Sequence, residues 1–522
     1  MIGSKGKILW ADDEIELLRP HVLYLEEKGY AVTPVTNAND AIQLLRQGNF
    51  DLVLLDEMMS GKDGLAALVE MKELNPLLPV IMITKSEEES LMEEAIGGKI
   101  DDYLTKPVNP SQILSICKKY LESRKIGSAR VTRDYAAEFH AIALQMMDKL
   151  TWQDWRDIYL KLVDWELELE RYPDLGLLDT LSEQKRSCNI EFARFVERNY
   201  QEWINQSTDA PVLSAGVINK HLAPLLAQNR RVLFIIIDNM RLDQWLAIET
   251  LLFPYYHISK EYYFSILPTA TPFSRNAIFS GLFPADIERK YPDLWTKGSE
   301  DDFSRNRYER QLMDFQLQSL GIHLTPEPKY IKILESQEGK NLEKNLSSYL
   351  QSALLSVVIN VVDIFAHNRS TSEILKEIVP DEAAFRSLTR SWFEHSFLFR
   401  ILRSLARENL TIVLTSDHGS VRSMRGAKVI GDRETSTNLR YKFGKNIKCD
   451  EKYSIFVKNP RDYKLPSRGI NVNYIIAKED YYFVYPTNYH KYLNYYKDSF
   501  QHGGVSMEEM ILPVIRLEPK LI

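Results

Sequence analysis

Three long apolar runs, each ending at an aspartate, constrain this chain more than any other feature. They are Arg231-Val-Leu-Phe-Ile-Ile-Ile-Asp238, Ser356-Val-Val-Ile-Asn-Val-Val-Asp363 and Leu410-Thr-Ile-Val-Leu-Thr-Ser-Asp417. Runs without polar alternation are buried on both faces, which is the situation of strands inside a parallel sheet. An aspartate closing each run then lands on one rim of that sheet, where α/β folds place their ligands. Histidines accompany two of the runs, in Asp363-x-x-x-His367 and Asp417-His418, and His502 precedes a closing apolar run at 510–514. Mixed carboxylate and imidazole donors suit Zn²⁺, with Mn²⁺ as the usual competitor. The donors Asp238, Asp363, His367, Asp417, His418 and His502 exceed what one tetrahedral ion takes. Two ions about 4 Å apart are the economical reading.

Between the first two runs lies Leu267-Pro-Thr-Ala-Thr271-Pro-Phe-Ser-Arg-Asn-Ala-Ile-Phe-Ser-Gly-Leu-Phe-Pro284. Thr271 followed by Pro272 reads as an N-cap and first helical residue. Free N–H groups and the dipole at such a start favour a phosphate. A hydroxyl there becomes a nucleophile if its pKa is lowered. Thr269, Ser274 and Ser265 are rival hydroxyls, but only Thr271 stands at the expected cap. The order Asp, Thr, Asp-x-x-x-His, Asp-His, His resembles the alkaline phosphatase superfamily. That resemblance implies Asp417, His418 and Asp238 on one metal, Asp363, His367 and His502 on the other, and Thr271 as nucleophile. Thr-Pro followed by Gly281-Leu-Phe-Pro284 resembles the nucleophile segment of the superfamily's phosphodiesterases.

The first 122 residues alternate strand-like and helix-like segments, the pattern of a doubly wound parallel sheet. Strands are expected at 7–11, 31–35, 51–55, 79–84 and 102–104. Asp12, Asp13, Asp56, Thr84 and Lys106 all fall at strand carboxyl ends. Converging carboxylates repel unless a cation sits among them, and oxygen-only ligation suits Mg²⁺. This set resembles a flavodoxin-like response-regulator receiver domain over its full length. The resemblance implies Asp56 as phosphoacceptor, and Thr84, Tyr103 and Lys106 as switch residues. It implies Mg²⁺ held by Asp12, Asp13, Asp56 and the backbone carbonyl of Met58. Ser60 departs from the proline usual after that methionine.

From about 123 to 210 the pattern changes to long amphipathic helices, expected at 135–149, 152–171 and 181–206. They suggest a three-helix bundle linker. Its tryptophans Trp152, Trp155, Trp165 and Trp203 read as core and interface. Residues 211–522 then form the effector, an alkaline-phosphatase-like α/β domain with insertions. Segment 286–340 reads as a lid. Arg425, Lys428, Arg433 and Arg440, with the tyrosine-rich stretch 471–494, read either as a strand-and-loop insertion or as a surface for a phosphodiester chain.

Charge and cysteine usage narrow the partners. A net charge of −7 over 522 residues gives no global attraction to nucleic acid or anionic membrane. Three scattered cysteines, no recognisable signal peptide and no long apolar run point to a cytoplasmic protein without membrane insertion. The whole chain resembles the PorX type of response regulator, a receiver joined to a PglZ domain. That resemblance implies a zinc-dependent phosphodiesterase acting on oligonucleotides, perhaps cyclic ones, in the control of type IX protein secretion. It also implies a PorY-like sensor histidine kinase, a homodimer on phosphorylation, and contact with a sigma factor or secretion-motor protein. The alternative is a phosphorylation-controlled scaffold in which metal serves structure rather than turnover.

Overall fold

The computed structural model describes residues 4–85, 100–205, 207–295, 306–432, 436, 438–467, 469 and 471–520. Within them the chain divides into two compact units, Met1–Ala137 and Glu138–Ile522. Arg433, one of the basic residues singled out above, lies outside the described residues.

The first unit holds a parallel sheet of β1 (Lys7–Ala11), β2 (Ala31–Val35), β3 (Leu52–Asp56), β4 (Val80–Thr84) and β5 (Asp102–Thr105), in the order β2-β1-β3-β4-β5. Alternation within the central strands splits the core in two. Ile8, Trp10, Leu52, Leu54, Ile81 and Ile83 face one layer of helices. Leu9, Val53, Leu55, Val80 and Met82 face the other. Burying such side chains contributes roughly 1.5–3 kcal/mol each, so the hydrophobic pattern sets the register. The helix Gly64–Leu74 is capped by Asp63, whose carboxylate accepts from the Ala66 N–H at 2.7 Å. It starts tight against β3, since a Cβ on Gly64 would lie 2.3 Å from the Asp56 carbonyl oxygen.

The second unit is built on a six-stranded sheet. Its named strands are β6 (Val232–Ile237), β7 (Tyr256–Phe264), β8 (Lys329–Ile333), β9 (Leu354–Ile359) and β10 (Thr411–Thr415). The C-terminal strand Ile511–Pro519 inserts antiparallel between β7 and β10, while β10, β6, β9 and β8 run parallel in that order. Every residue of β6, β9 and β10 is buried, as expected for strands covered on both faces. The second run differs from the expected single strand. β9 stops at Ile359, and after Asn360 the chain enters the helix Val361–Thr371. Asp363 therefore sits in a first helical turn rather than at a strand end.

The helices Trp152–Leu169 and Leu178–Ile204 fall within this second unit. Thr151 caps the first in a capping box with Asp154. The tryptophans are packing residues, with Trp152 and Trp203 edge-on to Phe264 of β7 at ring-centroid distances of 6.1 and 5.7 Å. Two of the basic residues of the insertion, Arg425 and Arg440, are held in ion pairs. Arg440 is fully buried and its Nε donates to Glu509 Oε1 at 3.1 Å, while Arg425 pairs with Asp480 and stacks 4.0 Å from the Tyr481 ring centroid. Among the described residues no helix is long and apolar enough to cross a membrane.

The tight start of the Gly64 helix gives a test of the receiver. Gly64→Ala should destabilise it by about 1–3 kcal/mol through overpacking against β3. Denaturant unfolding of the full chain should show the loss in the receiver transition, and an unchanged midpoint would contradict the close approach.

Candidate metal and phosphoryl sites

In the first unit, Asp12 and Asp13 follow β1, Asp56 ends β3, Thr84 ends β4 and Lys106 follows β5. The parallel register brings these ends together, and ligand oxygens of Asp12, Asp13 and Asp56 lie within 4.8 Å of one another. Lys106 Nζ bridges two of them, at 3.0 Å from Asp12 Oδ2 and 2.8 Å from Asp56 Oδ1. Burial raises the Asp56 pKa, Asp12 adds to that, and Lys106 works against it. Thr84 points its hydroxyl at Glu57. Tyr103 is 41% exposed and Met58 70% exposed. The cluster is short of positive charge for its carboxylates, which fits an additional cation.

In the second unit the rim of the parallel sheet gathers the six expected donors into two groups. Asp238 follows β6, and Asp417 with His418 follows β10; their ligand atoms lie within 4.8 Å of one another. Asp363 and His367 share one face of the helix Val361–Thr371, the i,i+4 spacing placing Asp363 Oδ1 3.4 Å from His367 Nε2. His502, beyond the strand Ser499–Gln501, completes this group at 3.6 Å from Asp363 Oδ1 and 3.4 Å from His367 Nε2. The groups adjoin, because the His418 and His502 rings stack at 4.2 Å between centroids.

The donor chemistry fits divalent cations. Asp417 Oδ2 and His502 Nδ1 are buried without a hydrogen-bond partner. Burial and then the Asp238 charge push the Asp417 carboxyl well above the usual carboxylate range. Burial, with His418 and His367 facing it, holds His502 well below the ordinary imidazole value and therefore neutral. Neutral imidazoles and crowded carboxylates are what a cation uses.

Thr271 differs from its sequence-based role. The helix spans Thr271–Ser280 with Ala270 as its N-cap, so Thr271 is the first helical residue and Pro272 the second. The Phe273 and Ser274 N–H groups both donate to the Ala270 carbonyl, at 2.9 and 3.0 Å. The threonine hydroxyl is thereby left for the ligand cluster, with Oγ1 at 3.0 Å from His418 Nε2 and 3.5 Å from Asp238 Oδ1. The rival hydroxyls are otherwise engaged. Ser265 donates to the Asp417 carbonyl at 2.8 Å, Thr269 to Gly504 at 2.7 Å and Ser274 to Ala270 at 2.9 Å.

Sequence reasoning missed Arg275, Glu309, Asn239 and Asn360. Arg275 is one helical turn beyond Thr271, on the same face, and 1% exposed. Its Nη1 donates to Asp238 Oδ2 at 2.6 Å and lies 3.6 Å from Asp417 Oδ2, while its Nε donates to Glu309 Oε1 at 2.6 Å. Glu309 comes from the segment read as a lid, from a helix that puts Leu312, Met313 and Leu317 in the core. Asn239 Nδ2 donates to Asp363 Oδ1 at 3.1 Å, and Asn360 Nδ2 to Asp238 Oδ2 at 2.9 Å. The signals were present: an arginine i+4 from Thr271, and an asparagine breaking the second apolar run.

Residues 217–517 match the family model of the BREX system PglZ alkaline phosphatase-like domain, 125–204 that of the PorX response regulator linker domain, and 8–118 that of the response regulator receiver domain. A stretch of 118 residues is 36% identical to the transcriptional regulatory protein ResD of Bacillus subtilis, covering 23% of this chain and 49% of that protein. Another of 128 residues is 35% identical to the alginate biosynthesis transcriptional regulatory protein AlgB of Pseudomonas putida, covering 24% of this chain and 28% of that protein. The chain thus spans about half, or less, of the curated relatives' length. Among solved structures, a CheY-like receiver domain protein from Methanospirillum hungatei is 28% identical with a TM-score of 0.22, over 22% of this chain and 93% of that one. The NtrX receiver domain from Brucella abortus is 29% identical with a TM-score of 0.21, over 22% and 98%.

The buried guanidinium gives a prediction. Arg275→Met leaves Glu309, Asp238 and Asp417 without their common cation and should cost about 3–5 kcal/mol in metal-free protein. Added Zn²⁺ or Mn²⁺ should recover more melting temperature in the variant than in the wild type. Equal metal-induced shifts would separate Arg275 from the ligand cluster.

Proposed function

This chain belongs to the PglZ family of alkaline phosphatase-like domains, carried behind the receiver and linker of a PorX-type response regulator, and from that premise we propose that it is an aspartate-phosphorylated regulator whose effector cleaves phosphodiesters with Thr271 as nucleophile. The observation that carries the reading is the Thr271 hydroxyl, turned away from capping and set 3.0 Å from His418 beside two adjoining donor groups. Asp238, Asp417 and His418 would hold one zinc ion, and Asp363, His367 and His502 the second. Such cations supply positive charge that acidifies a nearby hydroxyl and offsets the charge on a phosphate.

In this reading the Thr271 oxygen bonds to phosphorus as the leaving oxygen departs from the opposite side, and the threonine's proton ends on that oxygen as the leaving alcohol. Water then attacks the phosphothreonine, restoring the threonine and releasing a phosphate monoester. The rigid start of the helix Thr271–Ser280, with Pro272 fixing its backbone, keeps the oxygen oriented for in-line attack. Asn239 and Asn360 hold the carboxylates Asp363 and Asp238 in place through their amides.

The receiver would take its phosphoryl group on Asp56 from a PorY-like sensor histidine kinase, with Mg²⁺ on Asp12, Asp13, Asp56 and the Met58 carbonyl. Lys106 already touches Asp56, and Thr84 and the exposed Tyr103 are the side chains to rearrange. Homodimerisation on phosphorylation, an oligonucleotide substrate and a role in type IX secretion complete the proposal, with a sigma factor or secretion-motor protein as the downstream contact.

Two experiments test it. Thr271→Val should lower turnover of a chromogenic phosphodiester at least a hundredfold with metal content unchanged, and chelation should abolish wild-type turnover until Zn²⁺ or Mn²⁺ is restored. Retained activity in the variant would reject the nucleophile. Acetyl phosphate with Mg²⁺ should add one phosphoryl group by intact-mass measurement to wild type and none to Asp56→Asn. Labelling of the variant would move the phosphoacceptor elsewhere.

A further inference from the structure

The helix Leu178–Ile204 touches the candidate hydrolase at the segments that carry its nucleophile and its two adjoining histidines. Asn189 and Tyr200 are eleven residues apart on it, about three turns, and so share one face. At one end the Leu267 N–H donates to the Tyr200 hydroxyl at 2.8 Å, four residues before Thr271. At the other, the Asn189 amide binds the chain after His502 twice. Its Nδ2 donates to Glu508 Oε2 at 3.0 Å, and its Oδ1 accepts from the Met507 N–H at 2.8 Å. Asn189 is 6% exposed and Tyr200 fully buried.

The clamped segment follows His502 and packs against the segment that carries His418. The Gly419 N–H, next to His418, donates to the Glu509 carbonyl at 3.2 Å, and a Cβ on Gly419 would meet the Glu508 carbonyl at 2.0 Å. The Gly504 N–H donates to Glu509 Oε1 at 2.8 Å, and the Gly503 N–H to Thr269 Oγ1 at 3.1 Å. Hydrogen bonds thus run from Asn189 through 507–509 to the residues next to the stacked His418–His502 pair.

A third tie reaches the Asp238 loop. Lys185, one turn before Asn189, lies 2.6 Å from Glu166 Oε2. Glu166 Oε1 accepts from Arg386 Nη1 at 2.9 Å, and the same nitrogen donates to Asp243 Oδ2 at 2.7 Å. Asp243 holds Arg241, three residues beyond Asp238, at 2.6 and 2.9 Å. A buried ionic chain of this kind adds little net stability but fixes geometry, because any displacement strands a desolvated charge.

We propose that Asn189 and Tyr200 are positioning residues of the hydrolase: one face of the linker helix sets the Thr271 segment against the His418–His502 segment, so turnover is tuned from the linker with substrate affinity unchanged. The proposal rests on the phosphodiesterase reading for its kinetic form, while its structural form stands apart from it.

The experiment uses the full chain with two nearly isosteric variants, Tyr200→Phe and Asn189→Asp, and exposed Arg194→Ala as control. With a small chromogenic diester, each of the two should lose about ten- to a hundredfold in kcat, the scale of a slight misplacement of reacting groups. KM and zinc content should stay within twofold of wild type. Hydrogen exchange should quicken in peptides covering 265–272 for Tyr200→Phe and 503–509 for Asn189→Asp. Unchanged kcat with unchanged exchange overturns the proposal, as does activity falling only in step with melting temperature or zinc content. If wild type turns over no diester, the functional reading fails, and exchange alone decides the clamp: quickening in both segments sustains it and its absence overturns it.

Discussion

Crowded carboxylates at the carboxyl rim of a parallel sheet are the constraint on which both halves of this protein depend. Parallel strands end in register, so an acidic residue closing each strand is brought within a few ångströms of the next, in a place water reaches poorly. Desolvation and mutual repulsion then raise the free energy of the ionised state unless positive charge arrives. In the first unit Lys106 bridges Asp12 and Asp56, and in the second Arg275 pairs with Asp238 near Asp417. Both arrangements leave acidic capacity beyond what one cation satisfies.

The same constraint shapes the surroundings. Glu309 is buried completely, yet it is paired with Arg275 and approached by Asn306 and Tyr330. Arg440 and Glu509 form another fully buried pair, beside the glycines that let the His502 segment approach. Gly504 has no room for a side chain, because a Cβ there would lie 2.2 Å from Arg440 Nη2. Charges brought inside must be partnered, and partnering them locks the loops that carry the site.

Much of this was legible in the chain. The strand ends of the receiver-like unit and the three apolar runs follow from period and burial, which depend on residues near in sequence. The donor set followed too, since Asp363 and His367 at i,i+4 and the adjacent pair Asp417-His418 are local patterns. What misled was local as well. Thr271-Pro272 looks like a cap followed by the first helical residue, yet the helix starts one position earlier because the Ala270 carbonyl takes the first N–H groups. The run to Asp363 looks like one strand, yet Asn360 turns the chain into a helix. For Arg425 and Arg440 two readings stood open, because their acidic partners stand 54 to 69 residues away.

By itself the sequence determined the strands, the rim on which ligands gather and the residue types available there, because hydrophobic period and strand-end chemistry are written within a few residues. Only the tertiary structure decided which hydroxyl faces the donors, which cation neutralises them and which helix braces them. Those outcomes depend on side chains far apart in the chain meeting in a space without water, where each buried charge accepts only the partner that packing brings to it. Thr271 with His418, Arg275 with Glu309 and Asn189 with Glu508 are pairings of that kind.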